Sequence, residues 1–335
     1  MLSARRVCLG GEGAQAFDHD FKPGELTVVL GGNQSGKTNL CRLLAGLPTQ
    51  AQGEVWYGQQ ELTHVAAQKR SVAVVFQAFV NYPNWTVAQN IASPMLAQGI
   101  DAHQQQRRVF QLAETLGISE FLERLPNELS GGQQQRLAIA RALAQRADVL
   151  VLDEPLVNLD YKLREALVVE LKALLASSEA TVIYTSTDPR DAFALGDQVL
   201  LLKDQQKLQS GSPLAIYREP ANLACAHLMS DPGINLLGCS DDRLKTTCQG
   251  VRPEHIILPN EPGPLSGCVQ RFDMSVDSVE RSGDETFVHG CIKSADSNEW
   301  ANRWVVRRPG MHAVVVGEPL CLRVRDDDIL ELVVD

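Results

Sequence analysis

Between residues 25 and about 200, short apolar, β-branched runs alternate with longer stretches of helical spacing. Residues 25–30, 72–76, 149–152 and 181–185 are strand-sized and nearly all apolar. Residues 37–46, 104–116, 133–145, 161–176 and 189–195 place apolar side chains at helical intervals. Continuously apolar strands separated by helices require crossover connections, so the pattern predicts an α/β domain with a largely parallel sheet. Residues 198–203 and 205–209 flank Asp204 and predict a closing hairpin. A helix over 220–229 stops at the breakers Ser230, Asp231, Pro232 and Gly233. Beyond it the period changes to two, with short strands over 268–276, 285–292, 303–308 and 320–324 and a turn over 281–284. This predicts a small all-β, barrel-like domain. The expected division is 1–230 and 231–335.

Composition narrows the picture. A chain of 335 residues is long enough for two domains, and 44% hydrophobic with 21% charged residues excludes a disordered polymer. The net charge of −10, from 31 basic and 41 acidic side chains, argues against a partner whose phosphate backbone needs clustered Lys and Arg. Residues 231–335 hold 11 basic and 18 acidic side chains, so most of the excess lies in the β domain. No apolar run approaches the roughly 18–20 residues of a spanning helix, and Arg5 and Arg6 are not followed by a signal-like apolar stretch. A water-soluble, cytosolic chain is expected. Its eight cysteines include no C-x-x-C pair, and reduced thiols are expected rather than four disulfides.

The candidate chemistry begins at Gly31-Gly32-Asn33-Gln34-Ser35-Gly36-Lys37-Thr38, which fits G-x-x-x-x-G-K-S/T between a predicted strand and a predicted helix. Glycines permit a tight path on which successive N–H groups converge on phosphate oxygens at the helix start. Lys37 would reach the β- and γ-phosphates, and the Thr38 hydroxyl would bind Mg²⁺. Asp153 and Glu154 follow the 149–152 strand, where one carboxylate can hold Mg²⁺ and the next can polarise an attacking water. A guanine-reading Asn-Lys-x-Asp is absent from the sequence, which points to ATP.

Leu129-Ser130-Gly131-Gly132-Gln133 continues as Gln134-Gln135-Arg136. This string resembles the signature motif of ABC ATPases and lies upstream of Asp153 and Glu154, as in that family. A Ser hydroxyl and glycine N–H groups at a helix start form a second phosphate cradle. The resemblance implies a P-loop fold with a helical signature subdomain over about 85–145, and cassettes paired head-to-tail. Each ATP would then lie between one subunit's residues 31–38 and its partner's signature. It also implies that Gln77 touches Mg²⁺ and couples to a membrane subunit, and that Asn158, Leu159 and Asp160 cross the dimer interface. Tyr82-Pro83, Thr86-Val87, Asn90-Ile91, residues 217–222 and 250–255 are similar to those of sugar- and polyol-importing ATPases of the maltose and sn-glycerol-3-phosphate type. So is the terminal β domain, of the OB-like kind called TOBE. The nearest subgroup suggested is the paired ATPases of glycerol importers.

Three positions depart from the family pattern. Thr187 stands where a histidine normally contacts the γ-phosphate and attacking water, Gln34 stands where glycine is usual, and no aromatic residue precedes Phe17 to stack on adenine. All three belong to the chain's own nucleotide face, whereas the signature it offers a partner is intact. This favours a heterodimer with a second, different ATPase subunit over a homodimer.

The expected function is an importer ATPase on the inner face of the plasma membrane, driving permease subunits and served indirectly by a solute-binding protein. A sugar or polyol such as glycerol is the expected solute; an inorganic anion, a metal or a polyamine is the alternative. A mainly nucleotide-binding regulator and a soluble ABC ATPase acting on nucleic acid are the competing classes. Arg252, Glu254 and His255 are read as a structural turn, and His289 and His312 as strand or surface residues.

Overall fold

A computed structural model of the chain describes residues 1–10, 15–157, 161–176, 179–242, 245–259, 261, 269–293 and 300–334. They form two compact units, Met1–Leu214 and Ala215–Asp335. The first unit opens with β1 (Leu2–Cys8), β2 (Phe17–Phe21), β3 (Leu26–Leu30), α1 (Lys37–Ala45), β4 (Gln52–Tyr57), β5 (Gln60–Glu61) and β6 (Val72–Val75). Three helices follow, α2 (Val87–Ala97), α3 (Ala102–Thr115) and α4 (Gly131–Ala144). The chain then alternates through β7 (Val149–Leu152), α5 (Tyr161–Ala176), β8 (Thr181–Ser186), α6 (Pro189–Leu195), β9 (Gln198–Lys203) and β10 (Gln206–Gly211).

The predicted α/β architecture is present. A six-stranded sheet runs β10-β9-β3-β8-β7-β6, parallel throughout except for the closing β9–β10 hairpin. Every residue of β3, β7 and β8 is buried, as expected of strands covered on both faces. The periodicity did not reveal the antiparallel sheet β2-β1-β4-β5. Its inward residues Leu2, Ala4, Val7 and Val55 share one core with Val29, Leu40, Leu44, Val151, Ile183 and Leu200.

Helix α2 was also missed, because Pro94 lies inside it. Proline has no N–H for the carbonyl of residue 90. The neighbouring Ser93 hydroxyl donates to Asn90 O at 2.7 Å instead, so that carbonyl keeps a partner. Thr86 and Gln89 close a capping box at the start of α2.

The helix α7 (Pro213–Arg218) spans the junction, and the second unit continues with α8 (Leu223–Leu228), β11 (Asn235–Asp242) and β12 (Lys245–Val251). It ends with β13 (Val269–Arg281), β14 (Glu285–Lys293), β15 (Trp300–Pro309), β16 (Pro319–Arg325) and β17 (Ile329–Val333). Two antiparallel sheets, β11-β12-β17 and β15-β14-β13-β16, enclose Val251, Met274, Val288, Trp304 and Leu322. The expected boundary at 230 therefore differs from the compact units. Arg252 gives the physical reason: it stacks 3.7 Å over the Tyr217 ring and donates to Tyr217 O, Ala226 O and Ser230 Oγ. Residues 215–230 are thereby held to the β-rich unit. Tyr217 also donates to Glu254 Oε1 at 2.5 Å, so Arg252 and Glu254 act structurally.

Two local expectations change as well. The helix expected at 220–229 begins at Leu223, because Asn222 Oδ1 accepts from Cys225 N at 2.8 Å and caps it there. Cys239 and Cys248, directly opposite in the β11–β12 register, form a disulfide, which corrects the expectation that all thiols are reduced.

One buried cation fixes the C-terminal end of α1. Arg70, 6% exposed, donates to the carbonyls of Leu43, Leu44, Leu62, Thr63 and Val65 at 2.6–3.2 Å. Two of these belong to the last turn of α1, where a positive charge is favoured by the helix dipole. Arg70→Met should orphan these carbonyls and destabilise the first unit by about 3 kcal/mol, within the range for lost charge-assisted bonds, as measured by chemical denaturation.

Candidate nucleotide-binding site

Parallel register brings the site together. Leu30 pairs with Ser186 and Leu152 with Tyr184, so the carboxyl ends of β3, β7 and β8 deliver Gly31, Asp153 and Thr185 side by side. Ligand sites of open α/β sheets lie outside these strand ends. Gly31 N donates to Ser186 O at 3.2 Å and Asp153 N to Val75 O at 2.9 Å, fixing both loops to the sheet. A side chain at Gly31 would collide with Leu202 O and Ser35 Oγ, so the turn there admits only glycine.

The first turn of α1 supplies the cradle. Lys37 is 4% exposed, and its ammonium donates to Gly31 O and Gly32 O at 2.8 Å each. It also lies 3.1 Å from Glu154 Oε1. Two carbonyls and one carboxylate use its three donors, and a γ-phosphate would compete with Glu154 for the same ammonium. Gln77 Nε2 donates to Glu154 Oε2 at 3.2 Å and Thr185 Oγ1 accepts from Glu154 N at 2.8 Å. Glu154 is thus pinned from three sides in a left-handed conformation, φ 46°, which is rare for a residue with a side chain.

Asp153 is 4% exposed and accepts from Thr185 Oγ1 at 2.9 Å and Thr38 Oγ1 at 3.3 Å. Burial pushes its carboxyl above the usual carboxylate value, with the Glu154 charge adding to the rise; the two threonine hydroxyls and Lys37 oppose it. The buried Ser35 hydroxyl has no hydrogen-bond partner among the described residues. A buried carboxylate whose side-chain partners are hydroxyls, beside an orphaned hydroxyl, fits a hard cation with phosphate oxygens. Thr38, Asp153 and Gln77 are the oxygen donors that would hold Mg²⁺. Residues 33–39, Gln77, Glu154 and Gln205 enclose a cleft of about 400 Å³.

Of the departing positions, Gln34 adopts φ 63°, the conformation for which glycine is suited, and its side chain is exposed. Thr187 is exposed just beyond β8 and shares a small cavity with Glu154. Phe17 is half-buried against the first core, which accounts for it as a packing residue. Asn158, Leu159 and Asp160 lie outside the described residues.

The signature stands apart from this cleft in sequence and caps α4. Ser130 Oγ accepts from Gln133 N at 3.4 Å while Gln133 Oε1 accepts from Ser130 N at 2.9 Å. Leu129 is buried, Gly132 is partly covered, and Ser130 and Gly131 are exposed. A Cβ at Gly131 would meet nothing within 4 Å among the described residues, so packing there does not require glycine.

A family model described as ABC transporter matches residues 14–157. Over 337 residues the chain is 32% identical to the sn-glycerol-3-phosphate import ATP-binding protein UgpC of Rhodopseudomonas palustris (strain BisB5), covering 95% of this chain and 92% of that protein. The chain belongs to the ABC transporter ATP-binding family. It is likewise 33% identical to the xylose/arabinose import ATP-binding protein XacJ of Haloferax volcanii, covering 92% of this chain and 87% of that protein. Among solved structures, it resembles the ATP-binding cassette MJ0796, dimeric in a post-hydrolysis state bound to ADP and Pi. The TM-score is 0.57 and the identity 26%, over 63% of this chain and 98% of that one. As a member of this family the chain is an ATPase that uses MgATP.

Sequence reasoning missed Thr185, Asn81, Asn90 and Arg141. Thr185 could have been found from strand order, since it is the residue of β8 set beside Asp153. The other three shape the loop after Gln77. Asn90, fully buried, accepts from Tyr82 N and donates to the carbonyls of Tyr82, Trp85 and Thr86. Asn81 donates to Gln134 O at 2.9 Å, and Arg141 donates to Val80 O and lies 4.9 Å from the Tyr82 ring centroid.

The raised pKa of Asp153 carries a sign. A folded-state value above the unfolded one means the folded chain holds the extra proton, and stability falls as pH rises through that interval. The ionised carboxylate is therefore a cost to the empty site that bound Mg²⁺ would offset. Asp153→Asn should raise the Tm of the nucleotide-free chain at pH 7 and abolish the further rise given by MgATP, measured by scanning calorimetry.

Proposed function

We propose that this chain is the energy-coupling ATPase of an importer for a sugar or polyol, glycerol or its phosphate included, acting at the cytoplasmic face of a membrane. The observation that carries the reading is a polar linkage between the signature helix and an exposed apolar loop. Val80, Tyr82 and Trp85 are 55%, 48% and 41% exposed, and the two rings lie 4.8 Å apart. The loop bearing them is tied to α4 by Asn81 and Arg141 and to α2 by Asn90. An exposed aromatic loop so connected suits docking to a permease subunit, because movement of α4 at the nucleotide would be carried to the loop.

In this reading two ATPase subunits pair head-to-tail, each ATP lying between Lys37 of one and Ser130 of the other. Asn158, Leu159 and Asp160 would cross the interface. Gln77 bridges nucleotide and loop, Asp153 and Thr38 hold Mg²⁺, and Glu154 orients the attacking water. The changes at Gln34, Thr187 and the missing stacking ring weaken only the chain's own half-site. They favour a second, different ATPase subunit over a second copy. Residues 231–335, together with the 215–230 segment that Arg252 holds to them, are the TOBE-like regulatory domain of this reading.

Expressed with candidate permeases and a neighbouring ATPase, the chain should hydrolyse ATP in the assembly. Lys37→Ala should abolish MgATP binding, and Glu154→Gln should keep binding while cutting turnover by about 10²–10⁴. Brisk turnover by the chain alone, lost in Glu154→Gln, overturns the heterodimer. The double substitution Tyr82→Ala, Trp85→Ala should leave MgATP affinity unchanged and abolish copurification with the permeases.

A further inference from the structure

Three residues that line the nucleotide cleft, Gln34, Glu154 and Gln205, have left-handed backbones without being glycine, with φ of 63°, 46° and 64°. Glu154 is pinned by Lys37, Gln77 and Thr185. Gln205 has no such explanation. It is the second residue of the two-residue turn joining β9 and β10, where Gln206 pairs with Lys203. Asp204 before it has φ 48°, so both central residues are left-handed, as in a type I′ hairpin. That turn strongly favours glycine at its second position, and glutamine there sacrifices stability.

Backbone strain held at a ligand cleft points to function once an observed outlier is in hand. Gln205 is half-buried, and its side-chain amide has no hydrogen-bond partner among the described residues. Its place in the cleft is beside Gly36 of the cradle. A side chain built at Gly36 would lie 3.5 Å from Gln205 Cα and 2.9 Å from Leu9 Cδ1. Gln205 and the end of β1 therefore flank the N-cap of α1 together. Lys37, Glu154 and Gln77 are linked to one another and would meet the γ-phosphate, so Gln205, which lines the same cleft and bonds to none of them, is left for another part of the nucleotide.

We propose that Gln205 is a nucleotide-positioning residue whose amide hydrogen-bonds the nucleoside of ATP, at the ribose hydroxyls or the polar edge of the base. An amide can both donate and accept, which suits a nucleoside; the phosphates already have the cradle amides and Lys37. The inference rests on ATP occupying this cleft.

Gln205→Gly tests it, because glycine suits the turn better than glutamine and a purely structural role predicts only gain. In the full-length chain, Gln205→Gly should raise Tm in the absence of nucleotide yet weaken MgATP binding about three- to tenfold, as for one lost hydrogen bond. Calorimetric titration with magnesium tripolyphosphate, which has no nucleoside, should give the same affinity for both proteins. Unchanged MgATP affinity, or an equal loss for tripolyphosphate, overturns the proposal. Lys37→Ala serves as the control: if it too leaves MgATP affinity unchanged, the assignment of ATP to this cleft fails instead.

Discussion

Parallel register at the carboxyl ends of β3, β8 and β7 is the constraint on which the site depends. It places the cradle, Asp153 and Thr185 on adjacent strand ends without any of them being near in sequence. Because the strands are buried on both faces, slipping one by a residue would draw a polar loop residue into the core at one end and push an apolar residue out of it at the other. The geometry of Asp153 against Thr38 and Thr185 is therefore enforced by hydrophobic burial. The site inherits its precision from the core.

An acidic chain that binds a polyanion does so through local fields. Net charge is −10, yet the cleft offers a phosphate backbone N–H groups at the start of α1 and would meet it with one buried ammonium. The same local balance explains why Lys37 and Glu154 face each other: each would otherwise be a largely desolvated charge without a partner. Asp153 is the unequal member, buried beside hydroxyls and a second carboxylate, and its raised pKa records that imbalance. Phosphate and Mg²⁺ would redistribute charge among groups already in place.

The parts of the fold with strong periodicity were legible in the sequence. The α5 and α6 spans agree residue for residue with their apolar patterns, and β7 does as well. The P-loop string was legible because its chemistry is contiguous. What escaped was whatever depended on distant partners: β1, β2 and β4 alternate too weakly to stand out, and α2 contains a proline rescued by Ser93. Thr185 escaped because its role comes from strand order, and the Cys239–Cys248 disulfide because only the β11–β12 register sets the two thiols opposite each other.

The loop after Gln77 shows how a site and a surface become one device. Its backbone carbonyls lack a regular ladder, so side chains satisfy them: Asn90 alone serves Tyr82, Trp85 and Thr86. Such a loop is rigid only while its clasps hold, and two of those clasps, to Gln134 and from Arg141, belong to the helix whose first residues form the signature. Rotation of α4 relative to the sheet would therefore strain these polar contacts as well as apolar packing. Breaking the partly buried Asn81 bond would leave its groups poorly paired, a cost that moving together avoids. In the proposed coupling the loop would follow α4, because following is the lower-energy response, and its exposed tyrosine and tryptophan would be carried with it.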